Sequence, residues 1–234
     1  MTENIAIKTR DDSEEFKAYV ARPDGKPRAA IVVIQEIFGV NAGIRQKCDK
    51  LAADGYLAIA PDLFWRLERG IQLDPDIEVE FQRALTLMEK FDQDKGISDI
   101  QSTIDHVREH EGVTSVGCVG YCLGGRLAYM VAARTDIDAT VGYYGVGIDG
   151  LLDEKEAIAR PLMLHIPTED GFVDKDTQAA MHKSLDHHPR VTLYDYEGLD
   201  HGFATEMGER RDEKAANLAD ERTAAFFAKH LLGG

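Results

Sequence analysis

The chain is predicted to be an α/β protein, with a predominantly parallel central sheet of about eight strands flanked by helices. From residue 29 onward, strand-like apolar runs alternate with amphipathic stretches, the pattern of successive β/α units. Two N-terminal strand-like segments are separated only by a turn and should pair as an antiparallel hairpin. With 234 residues and 44% hydrophobic content, the chain can bury a large core and suits a single domain spanning 1–234.

The hairpin is assigned to 5–9 and 16–22, joined at Asp11-Asp12-Ser13. The remaining strands are placed at 29–34, 57–60, 116–119, 139–143, 162–166 and 191–196. Amphipathic helices are expected near 42–54, 76–93, 97–110, 124–134, 175–187 and 213–231. No repeat, low-complexity tract or interdomain linker interrupts this order.

A formal net charge of −15 argues against nucleic acid and anionic membrane surfaces as partners, because both are polyanions that demand basic patches. No apolar run reaches the roughly 18 residues of a membrane span, and Met1-Thr2-Glu3-Asn4 does not begin a signal peptide, so a cytoplasmic location is expected. The three cysteines, Cys48, Cys118 and Cys122, form neither a C-x-x-C pair nor a disulfide framework. No metal and no cofactor is expected, and the protein is read as a monomer or weak homo-oligomer acting on a small molecule.

Chemistry concentrates at Gly120-Tyr121-Cys122-Leu123-Gly124-Gly125, directly after one apolar run and directly before a helix-like stretch. This is the layout of a nucleophile elbow, with cysteine where the better-known form has serine. A tight strand-to-helix turn lifts the nucleophile out of the sheet, glycines let neighbouring backbone approach, and the helix N-terminus faces a developing oxyanion. The structural alternative is a glycine-rich strand end with a buried cysteine.

A nucleophile of this kind needs a base and an orienting acid, in the order nucleophile, acid, histidine. Asp170 lies in a turn after the strand at 162–166, and His201 on the loop after the strand at 191–196. Cys122, Asp170 and His201 thus fall at the carboxyl ends of three strands, where open α/β sheets bind ligands. Glu169 and Asp174 are alternative acids. His106 and His110 share a helix face but lack a third ligand, and His165 reads as a core residue inside a strand.

The segments Gln35-Glu36-Ile37-Phe38-Gly39, Ala60-Pro61-Asp62-Leu63, residues 120–125, Val141-Gly142-Tyr143-Tyr144-Gly145 and Asp200-His201-Gly202-Phe203 resemble the dienelactone hydrolase family, the carboxymethylenebutenolidases, over nearly the whole chain. The resemblance implies an α/β-hydrolase fold and hydrolysis of ester or lactone bonds, with Cys122 as nucleophile, His201 as base and Asp170 as its partner. It also implies that Glu36 hydrogen-bonds the resting thiol until substrate displaces it. A free cysteine is only roughly a few per cent thiolate at neutral pH, and a nearby carboxylate disfavours the thiolate further. The backbone N–H groups of Ile37 and Leu123 are the expected oxyanion donors.

The resemblance also implies arginines that hold a substrate carboxylate, but the matching positions here carry Phe81 and Thr205. Where that pattern has aromatic residues on the same helix, this chain has Leu85 and Met88. Phe81, Leu85 and Met88 share a helix face, from which Arg83 points away. That face is either core or an apolar pocket wall, with Phe38 and Trp65 as further substrate contacts. Residues 64–73 form an expected lid or pocket wall, from which Arg66 or Arg69 could reach inward. An uncharged ester or lactone is therefore the expected substrate. Two other classes remain open: a non-catalytic ligand-binding relative, and a thiol redox protein, for which Cys118 is a poor resolving partner inside a strand.

Overall fold

The computed structural model describes residues 1–11 and 13–233. Strands β1 (Thr2–Lys8) and β2 (Glu15–Ala21) pair antiparallel, with Thr2 opposite Ala21 and Lys8 opposite Glu15. Asp12, in the middle of the expected turn, lies outside the described residues. The following strands are β3 (Ala30–Ile34), β4 (Leu57–Pro61), β5 (Val116–Tyr121), β6 (Ala139–Tyr143), β7 (Leu162–Pro167) and β8 (Val191–Tyr196). They form one eight-stranded sheet in the order β1-β2-β4-β3-β5-β6-β7-β8, parallel from β4 through β8. From β3 the chain moves outward to β4, then crosses back to β5 on the other side of β3. This reversal opens a crevice at the carboxyl ends of β3 and β5, the usual ligand position in such sheets.

Strand periodicity sorts the core into two layers. Ala30, Val32 and Ile34 of β3 face one side, packing with α3 (Gln93–His110) and α4 (Leu123–Arg134), while Ile31 and Val33 face α1 (Ala42–Ala53) and α6 (Glu213–Leu231). Each valine or isoleucine among them contributes roughly 1.5–3 kcal/mol on burial, and a one-residue slip would exchange the two sets, so the register is strongly specified. The remaining helices are α2 (Glu78–Lys90) and α5 (Lys175–Leu185).

Three features depart from the expected boundaries. Strand β1 begins at Thr2 because edge pairing with β2 holds polar residues that show no apolar alternation. Helix α3 begins at Gln93 rather than near 97: the Asp92 carboxylate accepts the Lys95 N–H at 3.1 Å, and Gly96 admits the Phe91 ring against the first turn. Finally, Ile148–Ala157 forms a 3-10 helical segment between β6 and β7, where little apolar periodicity marks the sequence.

Candidate active site

Cys122 stands between the last residue of β5 and the first of α4, with φ 56° and ψ −114°. A non-glycine residue held there costs roughly 1–3 kcal/mol. Hydrogen bonds fix it: the Cys122 N–H donates to the Tyr143 carbonyl at 3.1 Å, and its own carbonyl accepts the Arg126 N–H at 3.1 Å. The flanking glycines are required by close approach. A Cβ on Gly124 would lie 2.5 Å from the Ile34 oxygen and 2.6 Å from the Gln35 oxygen, so α4 packs directly on the backbone leaving β3.

His201, on the loop after β8, and Asp170, in the turn after β7, are both buried, at 6% and 7% exposure. The His201 Nδ1 lies 2.9 Å from Oδ2 of Asp170 and 3.1 Å from Oδ1. Asp170 Oδ1 also accepts the Phe172 N–H at 2.8 Å. Asp200 ties the two loops together, accepting the N–H groups of Gly171 at 2.8 Å and His201 at 2.6 Å. Burial opposes charge on His201, but the adjacent Cys122 sulfur and the Asp170 carboxylate outweigh it and raise the imidazole pKa to about 10. The alternative acids are engaged elsewhere: Glu169 pairs with Lys175 at the surface, and Asp174 caps α5 through the Thr177 N–H.

Glu36 follows β3 and is buried beside this group. Burial raises its pKa, opposed by His201, Lys47, the Tyr144 hydroxyl and Arg210. The loop carrying it is fixed by Gln35, whose side chain accepts the Leu63 N–H at 3.0 Å and donates to the Glu36 carbonyl at 3.3 Å. Leu123 opens α4, so its N–H has no intrahelical acceptor. Ile37 lines the same cavity as Glu36, Cys122 and His201.

That cavity has a volume of about 240 Å³. Phe38, Phe81, Leu85 and Met88 form one wall, with the Phe38 and Phe81 rings 5.9 Å apart, whereas Ala84 and Leu87 of the same helix turn into the core. Thr205 also lines the cavity, its hydroxyl donating to the Met207 carbonyl at 2.8 Å. Arg83 pairs with Glu68 outside.

Trp65 does not reach the cavity, contrary to expectation. Its ring stacks on Phe16 at 5.9 Å and its indole N–H donates to Asp99 at 2.9 Å, because Asp99 of α3 is a buried carboxylate that needs donors. The same carboxylate holds Arg66, and Arg69 donates to the Glu15 carbonyl at 3.1 Å. Neither arginine lines the cavity. The cation that does line the cavity is Arg210, 5.6 Å above the Phe172 ring, which is 51% exposed and meets His201 edge-on at 4.8 Å. Sequence reasoning missed both residues; their only signal was proximity to Asp170 and His201 on the same loops.

Elsewhere, His165 is buried between the Tyr196 hydroxyl at 2.7 Å and the Thr223 hydroxyl at 3.0 Å, and burial lowers its pKa to about 3. His106 and His110 stack on one another, and among the described residues no group of three or more His, Cys, Asp or Glu side chains could hold a metal. Burial raises the pKa values of the Cys48 and Cys118 thiols.

A sequence model of the dienelactone hydrolase family matches residues 16–231. A protein of Azospirillum brasilense is 44% identical over 229 residues, covering 97% of this chain and 99% of its own length. The carboxymethylenebutenolidase of Pseudomonas putida is 37% identical over 230 residues, covering 97% of each. A crystal structure of a Klebsiella pneumoniae protein superposes with a TM-score of 0.84 at 28% identity, covering 98% of this chain and 100% of that one. A match of this length, on an α/β-hydrolase sheet with the elbow at its centre, places the chain in the dienelactone hydrolase family.

Proposed function

We propose that this protein is a cysteine-dependent hydrolase of small carboxylic esters or lactones, working through Cys122, His201 and Asp170. The reading rests chiefly on one observation: a histidine 2.9 Å from a buried aspartate, beside a cysteine held at a strained strand-to-helix turn. The Cys122 thiol proton passes to His201, and the sulfur attacks the substrate carbonyl carbon. The carbonyl oxygen becomes an oxyanion facing the N–H groups of Leu123 and Ile37. As the carbonyl re-forms, the C–O bond to the alcohol breaks and His201 returns its proton to the departing oxygen. Water, deprotonated by His201, then hydrolyses the thioester and restores the thiol. Glu36 holds the thiol in the resting state and moves aside when substrate enters.

The wall of Phe38, Phe81, Leu85 and Met88 favours an uncharged acyl or lactone group, because a carboxylate placed there would be desolvated without a partner. One observation favours a second reading: Arg210 lines the cavity and could meet an anionic substituent on the side nearer His201. A reducing cytoplasm suits a mechanism that needs a free thiol. Turnover of a chromogenic short-chain ester by wild type and folded Cys122→Ala tests the proposal. Activity should disappear in the variant; retained turnover would exclude the thiol mechanism, and no turnover of any ester or lactone by wild type would favour a binding protein.

A further inference from the structure

The segment after His201 doubles back along the rim of the cavity. The Asp212 N–H donates to the Phe203 carbonyl at 2.9 Å, and the Thr205 N–H to the Gly202 carbonyl at 3.0 Å, so 203–212 is a compact loop whose ends meet. Thr205, Met207, Gly208 and Arg210 of this loop line the cavity, as do Pro75 and Asp76 of the segment before α2. The two segments touch. Gly208 has φ 87°, and a Cβ there would lie 3.1 Å from the Asp76 carboxylate and 3.2 Å from the Pro75 ring. At its other end the loop covers the Phe172 ring with Arg210. Gly208, Arg210, Asp76 and Phe172 are all exposed, so the loop edges the entrance rather than the floor.

Met207-Gly208-Glu209-Arg210 carries one apolar side chain, too little to hold the loop down by burial. The anchor is Glu206. Its side chain is 4% exposed and meets three cations, Lys47 at 2.9 Å, Lys50 at 2.7 Å and Arg211 at 3.5 Å. Burial opposes charge on Glu206, but the three cations outweigh it and hold its pKa below the usual carboxylate range. Lys47, on α1, is itself buried, 3.4 Å from Asp220 of α6 and 5.1 Å above the Tyr121 ring. Arg211 also donates to the Thr205 carbonyl at 3.2 Å, and Met207 packs on α1, its Cγ 3.2 Å from where a Cβ on Gly43 would stand. The cluster thus ties the loop to two helices that pack on the sheet. A buried ion cluster adds little net stability, yet its geometry is exacting and losing one member is costly, which suits a positional role.

We propose that Glu206 is a positioning residue: with Lys47, Lys50 and Arg211 it latches the 203–212 loop against the cavity and so sets an upper limit on the acyl chain the enzyme accepts. The inference rests on the hydrolase reading above and narrows its substrate to short acyl groups. At about 240 Å³ the cavity is smaller than the roughly 300–1,000 Å³ usual for ligand sites. Its other walls belong to β-strand ends and to helices packed on the sheet, so the latched loop is the wall able to yield.

Wild type, Glu206→Gln and Arg211→Met are compared on para-nitrophenyl butyrate and octanoate, and by limited trypsin digestion read by intact mass. Glutamine keeps the shape of the side chain and leaves Lys47 its contact with Asp220, so the fold should hold. In wild type kcat/KM should fall from butyrate to octanoate. In Glu206→Gln the octanoate-to-butyrate ratio should rise at least about tenfold, the equivalent of roughly two more buried methylenes, chiefly through KM. Tryptic cleavage after Arg210 should quicken about tenfold, because a protease cuts the open population of a loop that has lost a charged hydrogen bond. Arg211→Met removes a different member of the cluster and should move the ratio the same way, so the proposal can still fail where Glu206→Gln does not fold. A general loosening of the protein would lower both esters alike and leave the ratio where it was. An unchanged ratio in a folded variant overturns the proposal, whatever the cleavage rate. A raised ratio with wild-type cleavage also overturns it, as does a wild type that prefers octanoate. Trypsin digestion needs no turnover: absence of hydrolysis of both esters by wild type would remove the hydrolase reading and the size limit together, while quickened cleavage would still identify Glu206 as the anchor of the loop.

Discussion

Replacing Gly124 by alanine inserts one methyl group where α4 meets the backbone leaving β3. The new Cβ would lie 2.5 Å from the Ile34 oxygen and 2.6 Å from the Gln35 oxygen, so relief requires the two segments to part by roughly 1 Å. Both contacts are with backbone, which cannot swing aside as a long side chain can. Overpacking of this kind costs about 1–3 kcal/mol of stability. The larger effect should be on chemistry, because the segment pushed away carries Glu36 and the Ile37 N–H, while α4 carries the Leu123 N–H. Misplacing reacting groups by this distance, or losing one oxyanion donor, costs on the order of 10²-fold. Steady-state kinetics on a chromogenic acetate ester, alongside urea denaturation, should show kcat down about 10²-fold with KM changed little. Gly150→Ala is the control, since a Cβ there meets nothing within 4 Å. A folded Gly124→Ala enzyme with wild-type kcat would refute the placement of the oxyanion donors on these two segments.

A neutral methyl ester of a dienelactone should be hydrolysed with higher kcat/KM than the free acid, given the apolar wall of Phe81, Leu85 and Met88. Arg210→Ala should change the rate with the acid by less than about tenfold, since an exposed cation contributes little. A clear preference for the acid that disappears in Arg210→Ala would assign carboxylate binding to Arg210. His165 should make the protein acid-sensitive: its folded pKa is depressed to about 3, so its contribution is complete above about 6.5 and is lost as pH falls from there toward 3. Unfolding free energies of His165→Gln from urea titrations should fall less steeply across that window than those of wild type, by up to about 1.4 kcal/mol per pH unit; equal slopes would show that His165 does not bear the burial described. Cys122→Ala, His201→Ala and their combination should lose kcat to a similar extent if the pair acts as a unit, whereas additive losses would separate them.

Much of the fold was legible because alternation of apolar runs and amphipathic stretches survives in this chain without interruption. What escaped was set by contacts rather than pattern. Strand β1 is polar at Thr2–Asn4 and becomes a strand by pairing with β2, and the start of α3 is fixed by Asp92 and by Phe91 packing on Gly96. In the site, order along the chain and strand-end placement brought Cys122, Asp170 and His201 to notice, and helix spacing put Phe81, Leu85 and Met88 on one face. Trp65 was misjudged because its attraction to Asp99, 34 residues away, has no local signature. Arg210 and Phe172 were overlooked for the same reason: loop side chains have no period from which to infer direction.

The central claim is that the Cys122 sulfur becomes covalently acylated during turnover. Rapid mixing of enzyme with an activated ester, followed by acid quench and intact-mass measurement, tests it directly. The account predicts a burst of alcohol release close to one per active site. It also predicts an adduct of the acyl mass that maps to Cys122 and is absent from Cys122→Ala. Steady hydrolysis with no such adduct under conditions where deacylation is slowed, or an adduct on another residue with activity intact in Cys122→Ala, would contradict it.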